Sequence, residues 1–475
     1  MRRHIIYIIA AFAAILPASA ETLSLQACRE KALEYNKSLV SSRLLIQKQE
    51  YELKAMKTNF LPNFKVYAAD FYNTGKITPN SDMAGVFAGG IANAKSVLAS
   101  LAANPLYTPL VAGLQSIAQG FAIPDDMLEV KIGNIFAAGI NVVEPLYAGG
   151  KITAGYKMNK VGVSMARNKV RLTEQEVLLN TDQAYVLCIK AKEMGDVARS
   201  YRTLLEELQK NVESAVRHGM RTKNDALKVQ VKLNEAELNI VKADNAYRLA
   251  QMNLAQIVGL PLTQRIDVTT DGIYIPVDNN TMVDPSLDIS QRPEYDLLND
   301  KTEMARLQVK LTRSEFLPNL AVFGSYGYVN GVKFLGEKLL KNGSATVGVM
   351  LKIPLFHFGE WQHKVRSAKA AYQITQMEQE ELNEKMQLEL LQAANQLQEA
   401  ALEISITNKS VLQAEENMRM SSKQYDVGVE PLSDYLEAQT LWQQACASAV
   451  DARCNYLLAY TKYLKAKGGA TNMIE

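Results

Sequence analysis

The sequence is poor in several features that define common protein classes. Its 475 residues include only four cysteines, four histidines and two tryptophans, and 52 basic and 50 acidic side chains leave a net charge of +2. Four cysteines in so long a chain do not make a disulfide framework. A balanced charge gives no reason to expect a nucleic-acid partner. The cysteines fall in helical stretches and are interpreted as small apolar residues of the core.

Long hydrophobic runs are missing beyond the N-terminus. Residues 5–16 are apolar, follow two arginines and lead to Ala18-Ser19-Ala20, which is the pattern of a secretory signal peptide. We therefore expect residues 1–20 to be removed and Glu21 to begin the mature chain. No later stretch has eighteen consecutive apolar residues, which predicts no transmembrane helix. A lipoprotein is a less favoured alternative, because Leu25-Gln26-Ala27-Cys28 loosely fits an acylation motif but lies far beyond the apolar run.

Signatures of catalysis and metal binding are missing as well. Gly149-Gly150-Lys151 resembles part of a phosphate-binding loop, but Pro145 and Ile152 occupy the positions where that motif needs Gly and Ser or Thr. His357 and His363 are six residues apart, which is not the spacing of two metal ligands on one helix face. We expect no enzymatic activity, no cofactor and no metal site.

Long heptad repeats are the most prominent feature that is present. From Val163 to Ala215, apolar residues recur at alternating spacings of three and four, and no proline interrupts residues 151–217. This pattern is typical of a coiled-coil seam, and at roughly 1.5 Å per residue the helix would be about 100 Å long. A second seam, from Ala226 to Ile257, follows a turn at Gly219. Together the two seams predict a long helical hairpin.

The whole pattern occurs twice. A spacing of 209 residues relates the members of three pairs: Pro145 and Pro354, Gly219 and Gly428, Asp225 and Asp434. We interpret residues 21–282 as a first repeat, with a helix, two strands, an inserted outer loop at 75–128, a long helical hairpin and a linker. Residues 283–475 form a second repeat, with a helix, two strands and a long helical hairpin.

Four prolines are expected at the junctions between strands and helices, because proline ends a helix or a paired strand. They are Pro62 and Pro318, each inside a Phe-Leu-Pro-Asn motif or its near copy, and Pro145 and Pro354. The spacing from Pro62 to Pro318 is 256 residues, so the first repeat carries 47 additional residues before Pro145. The inserted outer loop accounts for that excess.

The stretches beside these prolines alternate in hydrophobicity as strands do. Residues 345–353 place five apolar side chains on one face, and residues 130–143 behave in the same way. Alternation alone fits a half-buried soluble sheet or a membrane barrel; we favour the barrel, because no other element could cover a soluble sheet. Eight strands from two chains would enclose only side chains, whereas twelve strands from three chains would leave a lumen.

The mature chain resembles the TolC family of outer-membrane efflux and secretion proteins, also called outer membrane factors. The resemblance is carried by these elements: residues 23–28, the two Phe-Leu-Pro-Asn-like motifs, Pro145, Pro354, Arg292-Pro293-Glu294, Val427-Gly428, Asp434 and Leu436. It implies a mainly α chain with β-strands, assembled as a homotrimer. The trimer would form a twelve-stranded transmembrane β-barrel, four strands per chain, that continues into a long α-helical coiled-coil barrel.

The resemblance also implies a function. The protein would be the outer-membrane exit duct of a tripartite efflux or type I secretion system, extending into the periplasm of a Gram-negative bacterium. Its partners would be outer-membrane lipid, a periplasmic adaptor protein and, through the adaptor, an inner-membrane pump of RND, ABC or MFS type. The alternative is a non-porous structural protein, a coiled coil that spans the periplasm.

Members of this family close at their periplasmic helical ends, and the matching positions here are candidate gate residues. Tyr425 and Asp225 match a linkage pair, and the expected arginine position holds Glu430. Arg221 has the equivalent place in the first repeat, so the resemblance implies a swapped ion pair between Arg221 and Glu430.

Acidic residues ring the constriction in this family. Asp434 and Glu437 match them here, although an acidic residue in the first turn of a helix is favourable in any protein. Gly219 and Gly428 permit tight turns at the two hairpin ends, and the resemblance implies that these ends dock the adaptor. Residues 83–123 carry a single charge, Lys95, and are expected to be an external loop, with a lid over the barrel mouth as the sharper hypothesis.

Overall fold

The computed structural model describes residues 21–72, 76–77, 130–269, 287–334, 337–338, 343–356 and 358–469. The chain is mainly helical with β-strands, as expected. Its helices are α1 (Leu25–Tyr35), α2 (Lys37–Thr58), α3 (Lys151–Arg217), α4 (Lys223–Val258), α5 (Pro293–Ser314), α6 (Glu360–Asp426) and α7 (Leu432–Lys467). Its strands are β1 (Glu21–Leu23), β2 (Asn63–Tyr72), β3 (Lys76–Ile77), β4 (Val130–Ala148), β5 (Ile266–Val268), β6 (Asn319–Phe334), β7 (Glu337–Lys338) and β8 (Ser344–Lys352).

Several predictions fall outside these residues. The signal peptide at 1–20 and the suspected lid at 83–123 are among them, so both stay predictions. Within the part of the chain that is described, no helix combines the length and the hydropathy that crossing a membrane requires.

Backbone contacts divide the chain into two compact units. One unit combines Met1–Glu50, Val161–Met304 and Tyr372–Glu475, and the other combines Tyr51–Lys160 and Ala305–Ala371. Each unit takes segments from both sequence repeats. The two repeats therefore remain a prediction about the sequence, while the units are described below one at a time.

The second unit contains an antiparallel sheet in the order β2, β4, β6, β8. The short strand β3 pairs with β4 beside β2, and β7 pairs with β6 beside β8. β2 and β8 are the outer strands of this order, so each presents an edge that no other described strand covers. The two central strands come from the two different repeats that the sequence predicts.

The sheet has one apolar face that is open to its surroundings. Five apolar side chains on this face are 58–82% exposed: Phe64, Val66, Val347, Val349 and Leu351. The opposite face carries small and polar residues, including Gly139, Asn141, Ser325 and Gly327. A Cβ on Gly139 would lie 2.5 Å from the Tyr67 hydroxyl, so glycine leaves room for that ring. A sheet with an uncovered apolar face suits a lipid environment.

Three of the four prolines lie where strands meet turns. Pro62 and Pro318 immediately precede β2 and β6, and Pro354 follows the end of β8 at Lys352. The expectation that Pro145 ends its strand is wrong, because β4 continues to Ala148. The pairing of β4 with β6 is irregular between Pro145 and Tyr147. At this bulge the pairing does not need the N–H that proline lacks, and the regular pairing of β4 with β6 continues after it.

In the first unit, α3 runs over the range that the sequence predicts. Most residues of its seam are buried, including Val177, Leu205 and Val212. Outside the seam, Tyr185 is also buried, and its hydroxyl lies 2.8 Å from the Thr269 carbonyl oxygen and 3.1 Å from that of Leu23. These contacts attach α3 to a parallel pair formed by β1 and β5. The central part of α3 is therefore packed on more than its seam.

A buried ion pair ties α1 to α3. Asp182 is 1% exposed, and both of its carboxylate oxygens accept hydrogen bonds from Arg29, at 2.7 and 2.8 Å. The Thr461 hydroxyl of α7 donates a third hydrogen bond to Asp182, at 3.1 Å. Cys28 is fully buried on the same helix α1, which speaks against a lipid attached to its thiol.

The sequence predicts one helix before the first strand of the first repeat, from about residue 24 to residue 59, and that prediction is wrong. The chain forms α1 and α2 instead, with Asn36 between them. The Asn36 side-chain oxygen accepts hydrogen bonds from the backbone N–H groups of Ser38 and Leu39, at 2.9 and 3.1 Å. Asparagine stabilises the start of a helix by this contact, so a helix boundary lies inside the run that the sequence analysis treated as continuous.

Candidate gate at the helical hairpin ends

Two helical hairpins end in turns of the same design. α3 and α4 are joined at Gly219, and α6 and α7 at Gly428, with φ of +73° and +78°. At each turn the residue after the glycine donates to a carbonyl of the last helical turn, at 2.9 Å in both cases. A Cβ on either glycine would meet no atom within 4 Å. The backbone conformation, and not lack of space, therefore calls for glycine here.

The first hairpin end is fastened by a capping box. The Asp225 backbone N–H donates to the Thr222 hydroxyl oxygen at 3.3 Å, and the Asp225 carboxylate accepts from the Thr222 backbone N–H at 3.2 Å and from its hydroxyl at 2.9 Å. This arrangement satisfies the free N–H groups at the start of α4. Partial burial acts to raise the pKa of Asp225, but the hydrogen bonds from Thr222 and the charges of Lys228 and Arg221 hold that pKa below its ordinary value.

The second hairpin end lacks such a cap. Pro431 precedes α7 and makes no side-chain capping hydrogen bond. Asp434 lies in the first turn of α7 and accepts from the Ser433 hydroxyl at 2.8 Å. Asp434 and Glu437 are both exposed. Their positions fit a favourable charge at a helix start, and their part in a constriction stays a prediction.

Tyr425, at the end of α6, connects the two hairpin ends. Its side chain is 7% exposed, the Arg221 guanidinium lies 4.6 Å from its ring centroid, and the Tyr435 ring stacks on it at 5.4 Å. Burial raises the pKa of Tyr425; the charge of Arg221 opposes this rise and that of Asp225 adds to it. Tyr425 and Asp225 are thus in electrostatic range, but the ring's contact in the first hairpin is Arg221.

The swapped ion pair is not formed within one chain. Among the described contacts, Arg221 and Glu430 do not pair with each other. The Glu430 carboxylate instead accepts from the Ser421 hydroxyl at 2.6 Å. This hydrogen bond joins the end of α6 to the turn that follows it, so Glu430 braces its own hairpin.

A small apolar core lies behind these contacts. Its buried members come from α3, α4, α6 and α7: Tyr201, Leu205, Leu208, Val212, Val229, Ala236, Tyr425, Leu432 and Leu436. The Tyr201 hydroxyl also lies 3.3 Å from the Thr440 hydroxyl, a contact from α3 to α7. The four helices therefore pack as one bundle near their turns. Any relative movement of the two hairpins must shear this core.

Three contributors to these contacts are not among the residues predicted from sequence: Thr222, Ser421 and Tyr435. Thr222 could have been found, because Thr-x-x-Asp at the start of a heptad run is a capping-box pattern. Ser421 and Tyr435 carry no local signal, since their roles depend on which side chains the turns bring beside them.

The chain is similar to known proteins over most of its length. The profile described as outer membrane efflux protein matches residues 130–260 and 300–469. The alkaline protease secretion protein AprF of Pseudomonas aeruginosa is 25% identical over 326 residues, which are 65% of this chain and 64% of AprF. The outer membrane protein TolC of Vibrio cholerae is 20% identical over 350 residues, which are 70% of this chain and 77% of TolC.

Solved structures share the fold over nearly the whole chain. The Campylobacter jejuni CmeC outer membrane channel is similar with a TM-score of 0.73 at 18% identity, over 94% of this chain and 86% of CmeC. The outer membrane protein VceC of Vibrio cholerae has a TM-score of 0.71 at 15% identity, over 94% of this chain and 96% of VceC. The chain belongs to the outer membrane efflux protein family, and its location is the outer membrane.

Proposed function

We propose that this protein is the passive, gated exit duct of an efflux or type I secretion system. The observation that carries the proposal is that one chain combines a sheet of four long and two short strands, with an open apolar face, and two long helical hairpins. The sheet would line the passage through the outer membrane, and the hairpins would extend that passage into the periplasm. The duct performs no reaction and needs no cofactor.

Three copies make a conducting assembly from these parts. One chain supplies four long strands, which are too few to close a barrel in a membrane. Two copies would give eight strands, whose interior is filled by side chains, whereas three give twelve strands around a lumen. The open edges of β2 and β8 are where copies would join. A homotrimer therefore suits both the strand count and the need for a water-filled passage.

The hairpin ends are the proposed gate. The contact of Arg221 with the Tyr425 ring holds the two hairpins of one chain together, Asp225 caps the first hairpin and Glu430 braces the second. Asp434 and Glu437 are the proposed acidic ring of the constriction. Engagement of a periplasmic adaptor at the turns of Gly219 and Gly428 would separate the hairpins and open the duct.

The energy for export would come from the partner complex. An inner-membrane pump of RND, ABC or MFS type would load cargo through the adaptor. Printed names support both efflux and secretion, since AprF is named for protease secretion and the matching profile is described as outer membrane efflux protein. Copurification of the intact envelope complex would identify the pump and the adaptor.

Planar-bilayer recording tests this function. Purified protein should insert as a trimer and conduct ions, and the double variant Asp225→Ala, Tyr425→Ala should conduct more than the parent. The matched control is Asp244→Ala, which removes an exposed ion pair of α4 away from the turns. Purified trimers that conduct no ions in either form would support the rival function, a non-porous coiled coil that spans the periplasm.

A further inference from the structure

Phe358 has a backbone conformation that its residue type avoids. Its φ is +43°, and in the described chain every other residue with a positive φ is a glycine. The left-handed region is strained for a bulky side chain, and such strain persists where the side chain has a role. The Phe358 ring is 92% exposed and contacts the ring of Phe356, which is 73% exposed, at a centroid distance of 4.8 Å.

The corresponding turn of the first predicted repeat has a glycine, which adopts a positive φ without strain. Position 149, which lies 209 residues earlier, is Gly149 with φ of +60°. A Cβ there would lie 2.6 Å from the Ser314 carbonyl oxygen and 2.9 Å from the Leu317 Cβ. Within one chain, the end of β4 thus lies so close to the residues just before β6 that position 149 requires glycine. We call this close approach of two neighbouring strand ends a joint.

The outer strands can form the same joint between two copies. β8 corresponds to β4 at a spacing of 209 residues, and β2 corresponds to β6 at a spacing of 256 residues. β4 and β6 pair within the chain, whereas β2 and β8 each keep an edge that no described strand covers. We propose that β8 pairs with β2 of the next copy in the register of β4 and β6, and that Phe358 packs against Leu61 of the partner subunit. This inference rests on the trimer proposed above.

The duplication fixes the register of this seam. The observed pair Ala138–Tyr328 becomes a pair of Val347 with Tyr72 of the partner subunit. Val347 and Tyr72 are 82% and 79% exposed in the single chain. The transferred register puts the apolar faces of both strands on the same side of the sheet, whereas a slip by one residue would put them on opposite sides.

The side chain at position 358 explains why the two joints differ. Leu317, which adjoins Gly149 in the chain, corresponds to Leu61, which is 60% exposed. Because Phe358 has a Cβ and a ring where Gly149 has neither, the joint between copies is wider than the joint within a chain. The Phe358 ring fills that extra width, and the left-handed backbone aims it there.

Cysteine cross-linking of the full-length protein in detergent tests the register and the contact separately. The pair Val347→Cys, Tyr72→Cys should give covalent multimers on oxidation. The pair Phe358→Cys, Leu61→Cys lies across the wider joint, so a short bismaleimide reagent that spans the width of one ring should join it. The control Val347→Cys, Ala68→Cys lies four residues out of register, about 13 Å away along the strand, which exceeds the reach of a disulfide. It should stay monomeric on a denaturing gel, as should every single variant.

For Phe358→Gly, the proposed contact and its absence predict opposite changes in the temperature of trimer dissociation. The substitution relieves backbone strain in the single chain, so it should raise the temperature of trimer dissociation if the ring has no partner. We expect a lower dissociation temperature, because the seam loses its filling side chain.

The outcomes separate this inference from the function it rests on. A protein that is monomeric by native mass spectrometry, with no cross-linking pair, removes the trimer itself. A trimer that cross-links at Val347 and Tyr72 but not at Phe358 and Leu61, and that Phe358→Gly stabilises, overturns the contact alone and points to lipid around the ring. Cross-linking of the out-of-register pair overturns the register.

Discussion

Replacement of Arg221 by glutamine is the sharpest perturbation of the proposed gate. The guanidinium lies 4.6 Å from the centroid of the Tyr425 ring, in a partly exposed position. A cation–π contact of this kind contributes about 0.5–1 kcal/mol at an exposed site. Three copies that open together would lose about 1.5–3 kcal/mol from the closed state. Since 1.4 kcal/mol is a factor of ten, the ratio of open to closed channels should rise about 10- to 150-fold.

Single-channel recording in a planar bilayer measures this ratio directly. Glutamine keeps polarity and much of the length of the side chain, so the turn itself should fold as before. Arg199→Gln is the matched control, because it removes an exposed arginine whose partners are Asp196 and Asp244 and which lies away from the turns. An open probability that stays within a factor of two of the parent for Arg221→Gln, or that rises equally for Arg199→Gln, would refute the reasoning.

Three further predictions concern stability. Gln439→Leu should raise the thermal unfolding temperature, because the parent amide is fully buried and both of its polar atoms lack a partner among the described residues, which costs about 1–3 kcal/mol per group. Asp182→Ala should destabilise the protein by about 1.5–3 kcal/mol, since it removes a buried carboxylate that accepts hydrogen bonds from Arg29 and Thr461, whereas Asp451→Ala, at an exposed ion pair, should cost at most about 1 kcal/mol; equal losses in chemical denaturation would contradict this. The pKa of Asp225 is lowered in the folded state, so its stabilising contribution is complete above the ordinary value of about 3.9 and is lost as the pH falls through the lowered pKa. Asp225→Asn should flatten the acid limb of a plot of stability against pH, and an unchanged limb would show that Asp225 does not contribute.

The long helices could be predicted from sequence because their signals are local. No proline interrupts residues 151–217, a glycine follows, and the heptads never slip; α3 occupies that whole range. Membership of the heptad seam predicts less well which side chains of α3 are buried. Leu187 lies on the seam but is 50% exposed, whereas Tyr185 lies off it and is 1% exposed. The difference comes from β1 and β5, which pack on α3 from distant parts of the chain.

At the candidate gate, too, local features can be predicted from sequence but contacts between distant residues cannot. Gly219, Gly428 and the Thr222–Asp225 cap follow from local backbone rules, and all can be read from sequence. The contact of Arg221 with Tyr425 joins residues 204 positions apart. The family resemblance implied a pair of Arg221 with Glu430, but within one chain Arg221 contacts the Tyr425 ring and Glu430 accepts from the Ser421 hydroxyl. Charge alone does not decide such contacts when several polar groups meet at one turn.

The two hairpin ends differ in a way that bears on how the gate would open. The first hairpin is fastened within itself, because Thr222 and Asp225 cap α4. The second begins α7 at Pro431 without a side-chain cap, and its end is held by Tyr425, which contacts Arg221 and Tyr435. A helix end without a cap frays more readily. Loss of the Arg221–Tyr425 contact should therefore free the second hairpin while the first stays in place, so hydrogen exchange in Arg221→Gln should increase at residues 425–436 and not at 219–229.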